Sequence, residues 1–345
     1  MNILIRADAS AQIGTGHIMR CLALAQAWQD QGGRAIFVLS NKSPALEARL
    51  LSEQMLILHL SVEVGSDEDA HQTVDFAYQF APKWVVVDGY HFGAEYQKAI
   101  KDFGNSLLFF DDYGHSNCYY SDLVLNQNIS AHQDLYINRE PYTKLLLGTD
   151  YTLLRKEFCQ WLQWHRKINL VASKILVTLG GSDPDNVTLK VIQALQLVNS
   201  DNLEVIVVVG GSNPHYEKLQ AEVAKSRILI TLQQNVTNMP ELMAWADIAI
   251  AAGGSTNWEL AFMGLPSLVI TVADNQKDIT AKLDRQGVII NLGWHQNVTI
   301  EGLSLAIQDL IGDRPHRETM SKKGQQLVDG NGAKRVVSAM VSMLA

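Results

Sequence analysis

Short apolar runs alternate with longer stretches of helical period along the first half of the chain. The runs have the length of β-strands, and the apolar residues between them recur every three or four positions. Strands are predicted at residues 2–6, 35–40, 56–60, 84–88, 106–110 and 122–125, and helices include residues 18–29, 67–80 and 94–103. This alternation predicts an α/β fold with a doubly wound parallel sheet.

The same alternation begins again in the second half, with strands predicted at residues 174–179, 204–209, 228–231, 247–251, 267–271 and 288–291. Residues 151–172 continue no strand pattern and mix basic side chains with tryptophans. We therefore predict a Rossmann-like N-terminal domain at residues 1–155 and a Rossmann-like C-terminal domain at residues 173–330. Residues 331–345 contain a last helix that, by analogy with two-domain folds of this kind, crosses back onto the first domain.

The composition agrees with two globular domains. With 345 residues, 47% of them apolar, the chain can fill two hydrophobic cores. Its net charge of −8 and its lack of a Lys/Arg run argue against nucleic acid as a partner. The odd number and wide spacing of Cys21, Cys118 and Cys159 argue against a disulfide framework and a zinc site. No apolar stretch reaches membrane-spanning length and the N-terminal run is too short for a signal peptide, so we predict no integral membrane segment and a cytoplasmic protein.

The loops that follow the predicted strands carry the candidate chemistry, because ligands bind outside the carboxyl ends of parallel strands. The first loop contains Gly14 and Gly16 just before a predicted helix, so the amides of the helix start can approach an anionic ligand. This loop lacks the third glycine of a dinucleotide fingerprint, and the second strand ends without an acidic residue. Both departures argue against NAD, and no cofactor is predicted.

His17, at the start of the same helix, is the catalytic candidate. A neutral imidazole at that place can accept a proton from water, although a histidine there also suits a simple helix cap. Asp8 ends the preceding strand and could orient His17 or a water molecule, or merely close the turn. Tyr90 follows the strand at 84–88 and is a substrate-binding candidate by its position.

A second glycine-rich turn, residues 180–186, leads from a strand into a helix in the second half. Asp185 or Asn186 is placed to cap that helix. Asp183 and Asp185 also spell the DxD pattern with which one class of glycosyltransferase holds a metal. Turn and cap roles account for both carboxylates, and no histidine or further acid lies nearby, so no metal site is predicted.

The most informative cluster is the Gly-Gly-Ser-Thr turn at residues 253–256, which leads from a strand into a short helix. Its amides and hydroxyls suit a diphosphate. Glu259, about one helical turn further on, can accept both hydroxyls of a ribose, or can simply complement the helix dipole. Asn275 and Gln276 follow the next strand and supply amide side chains at the same sheet edge.

On these motifs the sequence resembles the nucleotide-sugar hydrolases of the pseudaminic acid pathway, the UDP-2,4-diacetamido-2,4,6-trideoxy-β-L-altropyranose hydrolases, and their spore-coat polysaccharide relatives. The resemblance runs over nearly the whole chain. It rests on residues 6–10, 13–17, 19–20, 110–112, 122–128, 146–148, 153–155, 180–183, 254–259 and 273–276.

The resemblance implies a fold similar to that of the glycosyltransferase that makes lipid II, with two Rossmann-like, GT-B-like domains facing a cleft. It implies that UDP lies on the C-terminal domain, with Glu259 at the ribose and Asn275 near the diphosphate or sugar. It also implies that His17 activates water for a metal-independent, inverting attack on the anomeric carbon of a UDP-sugar. The substrate and UDP-binding candidates are Asp8, Gly14, Gly16, Tyr90, Gly181, Ser182, Asn186, Gly254, Ser255, Thr256, Glu259, Asn275 and Gln276.

Two other functions remain open at this point. In a GT-B glycosyltransferase, an acceptor hydroxyl would replace water at His17. In a catalytically idle nucleotide-sugar sensor, His17 would have no role, because UDP needs only the second domain. The chain is also longer than compact members of the family, with additional sequence around residues 47–75 and at the C-terminus, so the resemblance leaves the sugar undefined.

Overall fold

A computed structural model of the chain describes residues 1–9, 14–199, 202–234 and 236–344. The chain divides into two compact units. Unit 1 comprises Met1–Lys156 and Gly330–Ala345, and unit 2 comprises Glu157–Asp329. Across these residues no helix is both long enough and apolar enough to span a bilayer.

Unit 1 contains a parallel sheet flanked by helices. Its strands are β1 (Asn2–Ala7), β2 (Arg34–Leu39), β3 (Leu56–His59), β4 (Trp84–Asp88), β5 (Leu107–Phe110), β6 (Leu123–Asn126) and β7 (Lys144–Leu147). Its first helices are α1 (Gly16–Gln29), α2 (Pro44–Ser52), α3 (Asp67–Phe80) and α4 (Ala94–Asp102), with 3-10 turns at Gln133–Tyr136 and Thr149–Tyr151. The strand order is β3-β2-β1-β4-β5-β6-β7.

Strand β1 forms the centre of unit 1 because both of its faces are covered. Ile3 and Ile5 belong to the apolar cluster under α1, whereas Leu4 belongs to the cluster on the opposite face, under α3 and α4. Alternate residues of a strand point to opposite faces, so a continuous apolar run is typical of such a doubly covered strand.

The order of the strands reverses at β1, which pairs with β2 on one side and with β4 on the other. Ala7, the last residue of β1, lies beside Asp88, the last residue of β4. The loops that follow these two strands therefore leave the sheet at the same point, which is where open parallel sheets bind ligands.

Unit 2 repeats this architecture. Its strands are β8 (Lys174–Thr178), β9 (Glu204–Val209), β10 (Leu229–Gln234), β11 (Ile248–Ala252), β12 (Ser267–Thr271) and β13 (Ile290–Trp294). Its helices are α5 (Val187–Gln196), α6 (Tyr216–Val223), α7 (Met239–Trp245), α8 (Thr256–Phe262), α9 (Lys277–Arg285), α10 (Ile300–Gly312) and α11 (Arg314–Leu327). The parallel order β10-β9-β8-β11-β12-β13 reverses between β8 and β11.

The last helix, α12 (Gly332–Ser342), belongs to unit 1. Its buried residues Val336, Val337 and Met340 share an apolar cluster with Ile18 and Leu22 of α1. A single helix of this length cannot bury its apolar face alone, so this packing explains why the chain returns to unit 1 after unit 2 is complete.

Each predicted strand is present, with ends that differ from the prediction by at most three residues. The α/β fold class predicted from the alternation is confirmed, with two parallel sheets. One strand, β7, was not predicted. It is a four-residue edge strand with an exposed Lys144 at its start, so only three apolar residues mark it in the sequence.

A buried ionic network fixes the end of β1 against α3. The Arg6 guanidinium donates to both carboxylate oxygens of Asp69, at 2.9 and 2.7 Å, and to Asp8 Oδ2 at 2.5 Å. Arg6 and Asp69 are both fully buried. Burial by itself would raise the pKa of Asp69, but hydrogen bonds and charge from Arg6 hold it below its usual range. The ionised carboxylate is therefore the state that stabilises the fold.

Replacing Asp69 by Asn should destabilise unit 1 by about 1–3 kcal/mol, because the buried Arg6 guanidinium loses one of its two carboxylate partners and keeps only Asp8. The pKa of Asp69 is lower in the folded protein than in the unfolded chain, where it is about 3.9, so the ionised carboxylate stabilises the fold above about pH 3.9. This stabilisation is lost as the pH falls through the pKa of the folded state. The protection of β1 and α3 amides, measured as their exchange rate relative to an unfolded peptide at the same pH, should therefore decrease on acidification in the parent and depend less on pH in Asp69→Asn. Glu68→Gln, on the exposed side of the same turn, is the control, and equal exchange in all three proteins would refute the network's role.

Candidate active site

His17 and Asp88 meet at the carboxyl end of the unit 1 sheet. His17 Nδ1 lies 2.6 Å from Asp88 Oδ1, and both side chains are buried. The neighbouring ends of β1 and β4 produce this contact, since α1 begins in the loop after β1 and Asp88 ends β4. An ionised carboxylate can only accept hydrogen bonds, so Nδ1 carries the proton. In the neutral ring, Nε2 is then the basic nitrogen, and it has no hydrogen bond to any residue that the structure describes.

Arg20 holds Asp88 in the ionised state. Its Nε and Nη2 donate to the two Asp88 oxygens at 2.7 and 2.6 Å, one helical turn after His17. Burial by itself would raise the pKa of Asp88, but the charge of Arg20 and the hydrogen bonds from Arg20 and His17 hold it well below its usual range. Arg20 Nη2 also lies 3.2 Å from His17 Nδ1. Both nitrogens carry protons, so they share Asp88 as acceptor and do not bond to each other.

A second carboxylate, Asp112, extends the cluster from the loop after β5. Asp112 Oδ1 accepts from Arg20 Nη1 at 2.8 Å and from Asn128 Nδ2 at 2.7 Å, and its Oδ2 accepts from the Tyr90 hydroxyl at 2.7 Å. Burial opposes ionisation of Asp112 as well, but Arg20 keeps its pKa below the usual range. The Tyr90 ring in turn meets the His17 ring edge to face, with centroids 4.9 Å apart. Helix α1, the end of β4 and the loops after β4, β5 and β6 are thus linked around one imidazole.

The charges of this cluster do not cancel while His17 is neutral. Asp88 and Asp112 are ionised and Arg20 is the one guanidinium that both contact, which leaves one net negative charge. Protonation of His17 brings the cluster to neutrality. A positive charge that develops on the imidazole ring during a reaction would therefore lie beside a net negative charge.

Asp8 makes no hydrogen bond to His17, and the orienting role considered for Asp8 falls to Asp88. The Asp8 oxygens instead accept from Arg6 and from the backbone amides of Ser40 and Asn41. Asp8 still lines one small cavity together with His17, Asp88 and Tyr90.

Gly14 and Gly16 lie at the start of α1, where Gly14 adopts the left-handed φ of 72°. Thr15, the residue before the helix, makes no side-chain cap. The start of α1 therefore keeps its amides for other partners. Residues 10–13, which include Ser10 and Ile13 of the family motif, lie outside the described residues.

In unit 2 the loop after β8 turns through two residues with left-handed φ, Asp183 at 42° and Asn186 at 51°. The cap of α5 was predicted to be Asp185 or Asn186, and this was wrong. Asp183 accepts from the amides of Val187 and Thr188, at 2.8 and 2.9 Å, and from the Thr188 hydroxyl at 2.6 Å. Asn186 occupies the position before the helix but makes no cap hydrogen bond. Asp183 is thus committed to the helix start, which disfavours a DxD metal site.

Gly181 and Ser182 lie in this β8 loop, and the loop after β11 carries Gly254, Ser255 and Thr256 beside it, because β8 and β11 are neighbours. Ser255 is exposed, and Gly254 and Thr256 are half-buried. Glu259 follows within α8 and is half-buried as well. The unit 2 candidates of both loops therefore lie along one sheet edge.

The candidates after β12 differ in role. Asn275 is exposed, whereas the Gln276 side chain links two loops, because its Oε1 accepts from the amides of Gly253 and Val272 at 3.2 and 3.0 Å. Only the Nε2 end of Gln276 remains for a ligand. Asn257 was not among the candidates, but its buried Oδ1 has no partner in the part of the chain that the structure describes. Within the same described residues, no three His, Cys, Asp or Glu side chains are grouped as a metal ion requires.

Residues 175–336 match the family described as Glycosyltransferase family 28 C-terminal domain. The chain is 28% identical to the spore coat polysaccharide biosynthesis protein SpsG of Bacillus subtilis, with 99% of this chain and 98% of that protein covered. It is 26% identical to the UDP-2,4-diacetamido-2,4,6-trideoxy-beta-L-altropyranose hydrolase of Campylobacter jejuni, with 83% and 97% covered. An uncharacterized protein of Methanocaldococcus jannaschii is 28% identical over 81% of this chain, which spans 57% of that protein's length. The predicted resemblance is confirmed.

Solved structures agree on the architecture. Acinetobacter baumannii MurG superposes with a TM-score of 0.67 at 16% identity, covering 99% of both chains. The UDP complex of Staphylococcus aureus MnaA gives 0.67 at 13% identity, with 99% of this chain and 96% of that chain covered. The spinosyn rhamnosyltransferase SpnG gives 0.63 at 12% identity, with 99% and 100% covered. At these identities the likeness concerns the fold alone. The chain has the GT-B fold.

The residues that sequence reasoning missed in this GT-B chain are the partners of His17. Asp88 ends a predicted strand, and Arg20, Asp112 and Asn128 lie within segments that carried the family resemblance. The polar residues at the ends of several predicted strands were the only feature of the sequence that indicated these partners. Their convergence on His17 could not be predicted from the sequence, because helix α1, the end of β4 and the loops after β5 and β6 are far apart along the chain.

Gly253 packs so closely that a side chain there should distort the unit 2 loops. A Cβ on Gly253 would lie 2.5 Å from Thr280 Cγ2 and 3.0 Å from Gln276 Cβ, whereas a Cβ on Gly254 would have 3.8 Å to its nearest neighbour, Gln276 Nε2. Gly253→Ala should therefore cost about 1–3 kcal/mol through overpacking and lower the melting temperature. Gly254→Ala is the matched control and should melt close to the parent. Equal melting of the two variants would contradict the packing.

Proposed function

We propose that this protein hydrolyses a UDP-sugar, with His17 as the general base for water. The observation that carries the proposal is the 2.6 Å hydrogen bond between His17 Nδ1 and Asp88, which leaves Nε2 as the basic atom at the carboxyl end of the sheet. The names of the Campylobacter hydrolase and of SpsG support a role in pseudaminic acid or related surface-glycan biosynthesis. Three free cysteines agree with a reducing, cytoplasmic location.

The proposed nucleotide site lies on unit 2, where the glycine-rich loops after the neighbouring strands β8 and β11 lie side by side. The UDP complex of MnaA, a neighbour of the same fold, supports UDP as the nucleotide. Gly181, Ser182 and the turn at 254–256 would surround the diphosphate with amides and hydroxyls. Glu259 would accept the ribose hydroxyls, and Asn275 with the Gln276 Nε2 amide would lie near the diphosphate or sugar. Such donors can stabilise the charge of a leaving diphosphate.

In the proposed step, water gives a proton to His17 Nε2 while its oxygen bonds to the anomeric carbon. The bond from that carbon to the diphosphate oxygen breaks, its electron pair leaves with UDP, and the configuration inverts. The protonated imidazole then lies against the net negative charge of Asp88, Arg20 and Asp112. Asp88 thus orients the ring and stabilises its charged form, as the aspartate does in a catalytic triad.

Glycosyl transfer is the second candidate, because residues 175–336 match a glycosyltransferase family and SpnG shares the fold. In that case the hydroxyl of an acceptor would give its proton to His17 Nε2, with the same groups in the same roles. The two functions differ only in the nucleophile. A measurement without any acceptor therefore separates them.

Incubation with a panel of UDP-sugars, without acceptor and with EDTA, should release UDP. His17→Asn keeps a side-chain donor for Asp88 but has no basic nitrogen, so turnover should fall by about 10²–10⁴-fold while UDP affinity stays within a few-fold of the parent. Turnover, calorimetric UDP affinity and melting temperature are measured on the same proteins.

The control for His17→Asn is His132→Asn, an exposed histidine elsewhere in unit 1. If His17 only caps α1, His17→Asn should lose about 1 kcal/mol of stability and recover activity at low temperature. If UDP is released only when an acceptor is present, glycosyl transfer is favoured over hydrolysis. If UDP is released only after a divalent ion is added, the metal-independent step is overturned. Near-parent hydrolysis by His17→Asn would remove His17 as the base.

Glu259 has its own test in the full-length protein. Glu259→Ala should weaken UDP binding by about 1–3 kcal/mol, because charge-assisted hydrogen bonds to the ribose are lost. Glu241→Ala, which removes an exposed acid from the first turn of α7, is the matched control. If Glu259 merely complements the helix dipole, calorimetry should find parent-like UDP affinity together with a lower melting temperature.

A further inference from the structure

A second histidine–aspartate pair lies in the loop after β5, and the proposed proton transfer does not use it. His115 Nδ1 is 3.1 Å from Asp111 Oδ2. The His115 side chain is 9% exposed and the Asp111 side chain is fully buried. The other ring nitrogen, His115 Nε2, lies 3.2 Å from the main-chain carbonyl oxygen of Phe92, in the loop after β4. His115 therefore links two loops at the carboxyl end of the unit 1 sheet.

The neighbours of His115 determine its protonation state. Burial by itself would raise the pKa of Asp111, but its contacts with His115, the Tyr119 hydroxyl and the Gly114 amide hold it below its usual range. An ionised carboxylate and a carbonyl oxygen can only accept hydrogen bonds. Both ring nitrogens of His115 thus face acceptors, and only the imidazolium carries a proton on each. His17 differs, because only its Nδ1 contacts an acceptor among the described residues.

The surroundings of His115 agree with this charge. Burial by itself would lower the pKa of His115, but the contact with Asp111 and the charge of Asp111 raise it above its ordinary value. The other titratable groups around the ring are Asp111, Asp112, Tyr113 and Tyr119 of its own segment and Tyr90 of the loop after β4. Both carboxylates are ionised, and burial together with the charge of Asp111 raises the pKa of Tyr113 and of Tyr119. Phe109 of β5 packs on the ring without adding charge.

Tyr90 connects His115 to the candidate catalytic base. Its ring meets the His115 ring edge to face with centroids 5.8 Å apart, and it meets the His17 ring in the same way at 4.9 Å. The Tyr113 ring contacts both Tyr90 and His115, at 5.3 and 5.7 Å. Phe92, whose carbonyl His115 holds, follows Tyr90 by two positions and has a buried ring. The segment that carries Tyr90 is thus held from the loop after β5.

We propose that His115, as an imidazolium, is a positioning residue for His17, because it fixes the segment whose Tyr90 ring packs against the His17 ring. Its effect on turnover rests on the proposed function, but its protonation does not. When His115 loses a proton, one ring nitrogen presents a lone pair to an acceptor and that contact is lost. The folded pKa is raised, so this stabilisation is present below the unfolded value of about 6.5 and is lost as pH rises through the folded value.

NMR of the full-length parent tests the positioning without any substrate. The His115 ring signal, assigned by triple-resonance spectra, should titrate with a midpoint above the ordinary value of about 6.5. The nuclear Overhauser contact between the Tyr90 and His17 rings should weaken with the same midpoint. In His115→Gln this contact should be weak at every pH, because the amide cannot become charged. His71→Gln, which replaces an exposed histidine of α3, is the control and should behave as the parent.

Turnover provides the second readout. The kcat/KM of the parent for UDP release should decline on the alkaline side with the midpoint of His115, whereas a general base works better without its proton and predicts no such decline. His115→Gln should be about 10–100-fold slower than the parent at neutral pH, because small displacements near the reacting atoms cost this much, and it should lack the alkaline step. Calorimetric UDP affinity should stay within a few-fold of the parent, since the proposed nucleotide site lies on unit 2.

The outcomes separate this inference from the proposed function. A His115 midpoint at or below the ordinary value overturns the positioning role, and so does a contact between Tyr90 and His17 that is independent of that midpoint. An alkaline step that persists in His115→Gln also overturns it and leaves hydrolysis standing. If the parent releases UDP from no sugar, hydrolysis fails. The NMR measurements on the parent then decide the role of His115 by themselves, with a shared midpoint supporting it.

Discussion

The shared guanidinium of Arg20 is the interaction on which the site in unit 1 depends. It contacts Asp88 at the end of β4 and Asp112 after β5, while its own helix presents His17. Desolvating three charges is costly, and only mutual pairing offsets that cost. The result is a fixed acceptor for His17 Nδ1 and a defined basic nitrogen. Removing Arg20 would leave two buried carboxylates without the cation that both contact, so the cluster depends on this one side chain.

The two units have the same topology but carry different chemistry at the point where the strand order reverses. In unit 1 that point holds ionisable side chains, as an acceptor of protons requires. In unit 2 it holds glycines, hydroxyls and amides, which suit an anionic ligand without any change of protonation. Helix starts point toward the carboxyl ends of the strands in both sheets. The same fold therefore allows unit 2 to bind an anionic ligand and unit 1 to transfer a proton. Our proposed hydrolysis uses both.

Strands and helices could be predicted from the sequence where the burial pattern of a few consecutive residues determines them. The alternation of apolar runs and helical periods predicted both sheets, because burial on two faces demands continuous apolar strands such as Val85 to Val87. Edge strand β7 was not predicted because its apolar run is only three residues long and only Leu146 within it is buried. The cap of α5 was misassigned for a related reason. Asp183 reaches the helix only through a left-handed turn, and such a turn is not evident from the spacing of polar residues.

The sequence by itself determined which residues could carry chemistry in this protein. The glycine-rich loops, His17 and the polar strand ends were all visible, since turn residues and strand periods are properties of a few consecutive positions. Only the tertiary structure decided that Asp88 orients His17 while Asp8 is held by Arg6. It also decided that the Gln276 oxygen ties two loops together. The physical reason is that a parallel sheet brings together strand ends far apart in the chain, and His17 and Asp88 are separated by 71 positions.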